Sequence, residues 1–250
     1  MPTILLLGGH GKVALHMTRL LTARGHKVHS VIRDASHVSE IASISPLAVP
    51  IVSSIEDATD ASADRSMDGV QWVVWSAGAG GKGAKERTKA VDEDAAKRFI
   101  AAAIRAPGVS RFLMVSASVA RREKAEWWDE LDLETYKAAW NAIPAYCAAK
   151  CAADEFLWDE SRKAEKKDCG WEDICLRPGA LTDEPATGKV DLGRARLPGG
   201  VTREDVARIG VELLERGTGG TGVWLDLVNG DEPIEEAVER CVAQGVSARD

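Results

Sequence analysis

The sequence predicts an α/β fold in which one doubly wound parallel sheet carries helices on both faces. Near the start of the chain, an apolar strand enters a glycine turn that opens directly into an amphipathic helix. Strand and helix patterns then alternate along the chain, which is typical of parallel sheets. In addition, residues 70–77 (VQWVVWSA) are apolar at nearly every position, as expected of a strand that is covered on both faces.

The glycine turn lies within residues 3–21 (TILLLGGHGKVALHMTRLL). Gly9, Gly11 and Ala14 give the spacing G-x-G-x-x-A. Gly8 adds an overlapping G-x-x-G-x-x-A, and either Gly8 or Gly9 can form the tight turn. Gly11 lets the backbone approach a pyrophosphate, and Ala14 lets helix and strand pack closely. Because the first N–H groups of the helix can point at an anion, the segment predicts a dinucleotide site.

The other elements are predicted from periodicity and composition, and the first helix is expected to end at Gly25. The predicted strands that follow it are residues 27–32, 46–53, 70–77, 111–116, 173–177 and 223–228. The predicted helices are residues 86–106, residues 203–216 and one that starts at Pro144. In a sheet of this kind the ligand lies beyond the carboxyl ends of the strands.

Residues 119–144 interrupt the alternation with a charged insertion that contains Trp127, Trp128 and Trp140. Its length suggests a lid or a pocket wall, whose tryptophans would suit an apolar or aromatic small-molecule substrate. The alternative is an ordinary surface helix whose tryptophans pack on the core.

The length and composition predict a single domain over residues 1–250. A chain of 250 residues with 45% hydrophobic content can bury about three quarters of its unfolded surface in one core, and no Pro/Ser-rich linker divides it. The 32 basic and 39 acidic residues give a net charge of −7, which argues against a nucleic-acid partner. No apolar stretch approaches the roughly 18 residues that a membrane span needs. Nothing in the sequence favours a monomer over a homodimer.

The cysteines predict a reducing, cytoplasmic location. They are odd in number, lack regular spacing and lie in apolar or helical contexts, which fits reduced thiols better than a disulfide framework. They are Cys147, Cys151, Cys169, Cys175 and Cys241.

The end of the second strand indicates which nicotinamide cofactor would bind. In the NAD-binding version of this fold an acidic residue ends that strand and binds the ribose hydroxyls, but here Arg33 comes first and Asp34 follows. An arginine can bind a 2′-phosphate through two hydrogen bonds. Lys12 lies in the glycine turn, so two cations would converge on the adenosine end. These residues favour NADP over NAD. The alternative is that both cations are solvated and that Asp34 binds the ribose.

A candidate catalytic pair follows Pro144. Tyr146 and Lys150 are four residues apart and so share a helix face. A lysine ammonium near a phenol favours the phenolate, and a tyrosine with a pKa of about 10 needs such help to exchange a proton at neutral pH. Ser116 and Ser118 follow the fifth strand at its carboxyl edge, where a nicotinamide ring would lie, so one of them can hold a substrate oxygen.

Taken together, these motifs make the chain resemble the short-chain dehydrogenase/reductase superfamily. It is most similar to the atypical NAD(P)H-binding branch that contains NmrA-like and flavin/biliverdin-reductase-like proteins. The resemblance extends over essentially the whole chain through TILLLGGHGKVA, SAGAGGKG, FLMVSAS, AYCAAKCAAD, ICLRPGALTDEP and VTREDVARI. It implies a single NAD(P)-binding Rossmann domain, with the inserted lid or pocket segment at about 119–144.

The resemblance also implies cofactor contacts for individual residues. Those implied to carry the pyrophosphate are Gly8, Gly9, His10, Gly11, Lys12 and Val13. Further contacts are implied for Arg33 (2′-phosphate), Ala77 and Gly78 (end of the fourth strand), Lys150 (nicotinamide ribose), and Pro178 and Gly179 (backbone beside the nicotinamide). The third strand ends in VSSIED, where many relatives carry an aspartate against adenine, so Ser53 or Ser54 would have to make that contact.

The catalytic roles are implied in the same way. Ser118 is similar to the family's serine that hydrogen-bonds the substrate oxygen, and Ser116, also beside the cofactor, is the alternative two residues away. Tyr146 would be the general acid/base, and Lys150 would bias the tyrosine.

The sequence therefore predicts an NADP-dependent oxidoreductase that moves a hydride between nicotinamide and a carbonyl or alcohol carbon of a small molecule. No metal site is expected. An epimerase or dehydratase that retains its cofactor is the alternative among enzymes. A non-catalytic sensor that binds NAD(P) and acts through a protein partner is the alternative of a different class.

Overall fold

The computed structural model of the protein describes residues 1–79, 85–164, 170–220 and 222–249. The strands are β1 (Thr3–Leu7), β2 (Lys27–Ile32), β3 (Ala48–Val52), β4 (Trp72–Trp75), β5 (Arg111–Val115), β6 (Glu172–Pro178), β7 (Ala180–Thr182), β8 (Lys189–Gly193), β9 (Gly200–Thr202), β10 (Val223–Asn229) and β11 (Glu232–Pro233). The helices are α1 (Lys12–Ala23), α2 (Val38–Ile44), α3 (Asp60–Arg65), α4 (Lys85–Thr88), α5 (Ala96–Arg105), α6 (Glu130–Ala142), α7 (Pro144–Lys163), α8 (Arg203–Arg216) and α9 (Ile234–Ala243). A 3-10 turn at Ala35–His37 precedes α2, and a π-helix at Lys89–Ala95 joins α4 to α5.

Nine strands form one sheet in the order β11-β8-β10-β6-β5-β4-β1-β2-β3, and β7 pairs with β9 outside it. The seven strands from β10 to β3 are parallel to one another, which confirms the predicted doubly wound sheet. Because β1 lies between β2 and β4, the direction of winding reverses there, and the crevice at the carboxyl ends of these strands is where such sheets bind ligands.

The sheet is not parallel throughout. β8 runs antiparallel to β10, and β11 runs antiparallel to β8. Neither of these two strands was predicted, because a five-residue strand and a two-residue strand carry too short a pattern to be distinguished from loop.

The core lies on both faces of the sheet because successive strand residues point to opposite sides. On one face, Ile4 and Leu6 of β1 pack with α1, α8 and α9. On the other face, Leu5 and Leu7 pack with α3, α5 and α7. All four side chains are at most 1% exposed. The predicted coverage of both faces by helices is confirmed.

Two details of the helices bear on the site. α1 ends just before Gly25, as predicted, and Gly25 has the positive φ of +85° that glycine adopts at little cost. The helix predicted at residues 86–106 is divided by the π-helix, and Asp92, within the π-helix, is fully buried. Such π-segments are frequent at functional sites.

The tryptophans of the insertion at residues 119–144 make contacts both outside and inside it. The indole N–H of Trp127 donates to the carbonyl of Ala195 outside the insertion (3.3 Å), and that of Trp140 donates to the carbonyl of Val119 at its start (3.1 Å). Trp140 also packs in one cluster with Tyr146. The insertion therefore lies beside the predicted catalytic tyrosine.

No helix within the described residues is long and apolar enough to cross a membrane. No group of three or more potential metal ligands occurs among those residues either. The described cysteines are buried and free, namely Cys147, Cys151, Cys175 and Cys241. Cys169 lies outside the described residues, as does part of the SAGAGGKG segment.

Candidate active site

The glycine turn after β1 is closely packed. Gly8 forms the tight turn, with φ of +82°, and a Cβ atom there would lie 2.7 Å from the Cα of Ala77. A Cβ on Gly9 would collide with the hydroxyl of Ser30, and the Gly9 N–H donates to the carbonyl of Val31 (2.8 Å). Of the two alternatives from the sequence, Gly8 is thus the turn residue, while Gly9 lets the turn pack against β2.

Gly11 is the N-cap of α1, with φ of −64° and ψ of 145°. No side chain caps the helix there, and no acidic residue lies in its first turn. Since the first N–H groups of an α-helix have no partner within the helix, this N-terminus can bind an anion. The side chain of Val13, which the resemblance placed at the pyrophosphate, packs into the core below the turn.

A cavity of about 270 Å³ opens beside this turn, at the carboxyl ends of β1 to β4. The predicted cofactor residues that line it are Gly8, His10, Gly11, Arg33, Ser53, Ala77 and Gly78. Sequence reasoning missed further lining residues, among them His37, Ile55, Glu56, Arg87 and Val91. The cavity has the position expected for the adenosine end of a dinucleotide, since it borders the ends of β2 and β3.

Glu56 connects two arginines of the cavity wall. Its Oε1 atom lies 3.3 Å from Nη1 of Arg33, and it accepts hydrogen bonds from Nε and Nη2 of Arg87 at 3.2 and 3.1 Å. Asp34 also borders the cavity, but its carboxylate accepts the backbone N–H of Ser36 (2.9 Å). That backbone hydrogen bond lowers the pKa of Asp34.

Lys12 is not among the residues that line the cavity with Arg33, so its predicted contact with the adenosine end stays a prediction. The Lys12 ammonium lies 2.5 Å from Oδ2 of Asp183, which also pairs with Arg203 (2.8 Å). The first turn of α1 directs Lys12 toward the segment after β7, whereas Arg33 lies at the end of β2.

The imidazole of His10 stacks on that of His37, with ring centres 3.4 Å apart, and its Nε2 lies 2.8 Å from Oε2 of Glu40. These contacts fix the orientation of the His10 ring, which lines the cavity beside Gly11.

The predicted catalytic pair lies at the other end of the crevice, on α7. The Nζ atom of Lys150 is buried 5.8 Å from the ring centre of Tyr146. It donates to the carbonyl of Val115 (3.3 Å) and lies 3.3 Å from Oδ1 of Asp92. The second oxygen of Asp92 accepts the N–H of Ala79 (2.9 Å). Asp92 is thus a residue of the candidate site that the sequence reasoning missed.

Burial and charge act in opposite directions on the pair. Burial raises the pKa of Tyr146 and outweighs the opposing effect of the Lys150 ammonium. Burial by itself would lower the pKa of Lys150, but Tyr146, Asp92 and Asp154 raise it on balance. The Lys150 ammonium thus acts on the pKa of Tyr146 in the expected direction but does not outweigh the effect of burial. At neutral pH the pair is a phenol beside an ammonium.

The two candidate serines differ in their partners. The Ser116 hydroxyl donates to Oδ2 of Asp154 (2.7 Å). The Ser118 hydroxyl is buried and finds no hydrogen-bond partner in the part of the chain that the structure describes. Ser118 is held through its backbone, because its N–H donates to the carbonyl of Pro178 (3.0 Å). The next residue after Pro178, Gly179, donates its N–H to the carbonyl of Leu227 on β10 (2.8 Å).

A fully buried arginine holds the serine segment in place. Arg177 donates to the carbonyl of Ser118 (3.1 Å) and pairs with Asp154 (3.0 Å) and Asp226 (2.8 Å). Burial raises the pKa of Asp154 to about 6, against the opposing effect of Arg177. The sequence did carry a signal for this network. A charged residue occurs within each of two predicted buried strands, Arg177 in one and Asp226 in the other, and buried charges need partners.

Comparison with known proteins agrees with this geometry. Residues 8–216 match the model of the NAD(P)H-binding family. The UPF0659 protein C216.03 of Schizosaccharomyces pombe is 33% identical and covers 99% of this chain and 98% of its own length. The uncharacterized sugar epimerase YhfK of Bacillus subtilis is 28% identical over 95% of this chain and 99% of its own.

A solved structure extends the similarity to three dimensions. The chain superposes on a candidate NAD-dependent epimerase/dehydratase from Bacillus halodurans with a TM-score of 0.75 and 25% identity, over 96% of this chain and all of the other. The family match covers most of the chain, and the mainly parallel sheet flanked by helices is the one that the resemblance implied. The chain belongs to the NAD(P)H-binding family, within the atypical branch of the short-chain dehydrogenases/reductases.

Proposed function

We propose that this protein is an NADP-dependent oxidoreductase that reduces a carbonyl carbon of a small molecule, or oxidises the corresponding alcohol. The observation that carries the proposal is the buried Lys150 ammonium 5.8 Å from the ring centre of Tyr146, on the helix beside the serine-bearing end of β5. Such a pair supplies a proton next to the place where a nicotinamide ring would lie in this fold.

The residues of the crevice fit the cofactor. Gly8 and Gly9 leave no room for a Cβ against Ala77 and Ser30, and α1 directs its uncapped N-terminus at the position of a pyrophosphate. Arg33 borders the adenosine cavity with a side chain that is 64% exposed, so it is free to turn toward a 2′-phosphate. Ser53 lines the same cavity at the end of β3, where it can contact adenine.

Bound nicotinamide supplies the hydride, and the side chains of this protein handle the proton. Tyr146 remains a phenol at neutral pH because burial raises its pKa, so it can donate its proton to the oxygen of a carbonyl group that is being reduced. Lys150 stays charged next to it, stabilises the phenolate that forms, and can bind the nicotinamide ribose.

The two serines receive different roles in this proposal. The Ser118 hydroxyl has no partner among the described residues and can donate to the substrate oxygen, whereas the Ser116 hydroxyl is engaged by Asp154. Each donor at that oxygen contributes about 3 kcal/mol to the transition state. Pro178 and Gly179 would present backbone beside the nicotinamide.

The insertion supports an apolar or aromatic substrate. Trp140 packs in the same cluster as Tyr146, and it is linked to the segment that follows Ser118 through the carbonyl of Val119. A flat apolar wall beside the proton donor suits an aromatic or conjugated carbonyl compound.

The cysteines favour a cytoplasmic location for the reaction, because their odd number and irregular spacing fit reduced thiols.

An epimerase with retained cofactor is the second candidate, and the names of the Bacillus relatives favour it. The two activities differ in what happens to the cofactor. A reductase consumes NADPH in proportion to product, whereas an epimerase returns the hydride to its substrate and shows no net oxidation.

The test is substitution of the proton donor. Ketones, quinones and flavins are screened for oxidation of NADPH, measured by the absorbance of the reduced nicotinamide. With the best substrate, Tyr146→Phe should lower kcat by about 100-fold or more, because the ring remains but the proton donor is gone, while NADPH affinity changes little. Lys150→Ala should lower both turnover and NADPH affinity.

The chain offers a matched control in Tyr136, which is the other of its two tyrosines. Tyr136 donates to the carbonyl of Arg121 (3.1 Å) in the insertion, so Tyr136→Phe should retain turnover close to that of the unmodified protein. Full activity of Tyr146→Phe contradicts the proton-donor role. Tight NADPH binding without turnover across the whole screen favours the sensor over the reductase.

A further inference from the structure

The adenosine cavity, which is the cavity of about 270 Å³ beside the glycine turn, has a cluster of charged side chains on its wall. Three N–H donors from two arginines, Nη1 of Arg33 and Nε and Nη2 of Arg87, approach the same oxygen of Glu56 at 3.1 to 3.3 Å. All three residues line the cavity. The two guanidinium groups therefore converge on one point of the cavity wall.

The three residues come from separate parts of the fold. Arg33 follows β2, Arg87 lies on α4, and Glu56 lies in the segment between β3 and α3 that is neither helix nor strand. Their side chains are 64%, 40% and 26% exposed, respectively. Because Glu56 is on a loop and its partners are partly solvated, its side chain can rotate away without disturbing the core.

At the point where they meet, two guanidinium groups share a single carboxylate oxygen, that of Glu56. The other carboxylate beside Arg33, that of Asp34, accepts the backbone N–H of Ser36 instead. A phosphate monoester carries about −1.5 to −2 at neutral pH and offers three acceptor oxygens, enough for both arginines. With phosphate and carboxylate both present, the site would instead have an excess of negative charge.

We propose that Arg33 and Arg87 together bind the 2′-phosphate of NADPH, and that Glu56 competes with that phosphate for the two arginines. This inference rests on the proposed NADP preference and adds two residues to it. Glu56 keeps the guanidinium groups together against their mutual repulsion and lowers the affinity for the phosphate. Arg87 is then a second determinant of cofactor choice, on a helix that sequence reasoning did not connect with the cofactor.

The test uses fragments that carry no nicotinamide. Adenosine 2′,5′-bisphosphate and 5′-AMP differ only in the 2′-phosphate, and both are titrated by calorimetry into the full-length protein and its variants. Arg87→Ala should weaken the bisphosphate about tenfold or more and leave 5′-AMP unchanged. Glu56→Gln should strengthen the bisphosphate about tenfold and leave 5′-AMP unchanged, since it removes the competing charge and keeps the shape.

Matched controls come from ion pairs far from the cavity. Arg105→Ala breaks a comparable pair with Asp64 (2.6 Å), and Glu232→Gln breaks one with Arg240 (2.6 Å). Neither should change the affinity for either fragment. Thermal unfolding of each variant shows whether it is folded at the temperature of the titration.

Several results would overturn the inference. Unchanged bisphosphate affinity in a folded Arg87→Ala would show that Arg87 does not bind the 2′-phosphate. Unchanged or weaker bisphosphate affinity in Glu56→Gln would show that Glu56 does not compete with the phosphate. Weaker 5′-AMP binding in Glu56→Gln shows instead that the carboxylate accepts the ribose hydroxyl. None of these results touches the hydride chemistry, which is tested separately at Tyr146, so either proposal can fail alone.

Discussion

Arg33 is the residue on which we expect the choice between NADPH and NADH to depend most directly. It follows β2 at the position where NAD-binding members of this fold carry an acidic residue, and the neighbouring Asp34 is engaged as a helix cap by the Ser36 N–H. We predict that NADPH binds at least about tenfold more tightly than NADH, equivalent to ~1.4 kcal/mol, and that Arg33→Ala removes most of the difference.

Titration calorimetry with both reduced cofactors measures this preference. Arg105→Ala is the control, because it removes an arginine of similar exposure whose partner, Asp64, lies outside the adenosine cavity. Equal affinities for NADPH and NADH in the unmodified protein would contradict the preference and would leave Asp34 as the ribose-binding residue.

Residues at the ends of predicted strands could be assigned from the sequence, whereas their partners could not. Arg33 was placed at the cofactor because strand ends meet at one edge of a parallel sheet. Arg87 and Asp92 reach the site from a helix, and their contacts with Glu56 and Lys150 span 31 and 58 positions of the chain. No local spacing encodes such a contact.

The unit formed by β1, the glycine turn and α1 is the element that binds the pyrophosphate in the proposed function. Its glycines have separate tasks. Gly8 has φ of +82° and no room for a Cβ beside Ala77, so the fold itself requires glycine there. Gly11 has φ of −64°, which any residue can adopt, and the nearest atom to a Cβ at this position would be the carbonyl oxygen of Gly8 at 3.2 Å. The fold thus tolerates a side chain at Gly11 far better than at Gly8.

We therefore predict that Gly11→Val weakens NADPH binding by about 100-fold or more, equivalent to ~2.7 kcal/mol, while the protein stays folded. The branched side chain would occupy the approach to the α1 N-terminus, and the loss of a glycine N-cap should lower the free energy of unfolding by only about 1 kcal/mol. Fluorescence or calorimetric titration measures binding, and thermal unfolding measures stability.

Gly108→Val is the matched control for this prediction. A Cβ at Gly108 would lie 3.4 Å from the carbonyl oxygen of Val70. Both residues precede strands of the sheet, so they lie at its opposite edge from the site. It should bind NADPH normally. If a folded Gly11→Val protein kept the affinity of the unmodified one, the turn would not be the pyrophosphate site.

Elements buried on both faces were the ones that could be predicted from sequence. β4 is a continuous apolar run and β6 is buried at every position, because helices cover both sides of the sheet, and both were predicted close to their observed bounds. β8 alternates between buried and exposed positions over five residues, and β11 is two residues long, so neither has a pattern that exceeds its surroundings. Tertiary pairing with β10, and not local preference, makes β8 a strand.

At the scale of the whole molecule, one sheet separates two large hydrophobic clusters and belongs to both. β1 contributes Ile4 and Leu6 to one cluster and Leu5 and Leu7 to the other. A helix layer therefore cannot lose its packing without exposing the sheet that supports the other layer. We propose on this ground that residues 1–250 unfold as one cooperative unit, as the composition of the chain suggested.

The last prediction follows from this coupling. A ligand that binds only the folded state raises the free energy of unfolding by about 2.7 kcal/mol at 100 times its Kd. For a chain of this length each kcal/mol shifts Tm by about 2–4 °C, so saturating NADPH should raise the Tm of a single transition by about 5–10 °C. Calorimetry over a range of NADPH concentrations measures the shift, and Arg33→Ala should show a smaller shift with NADPH but the usual shift with NADH. Two transitions, of which NADPH moves only one, would show that the sheet does not unfold as a unit and that the nucleotide stabilises only the half of the protein that holds the glycine turn.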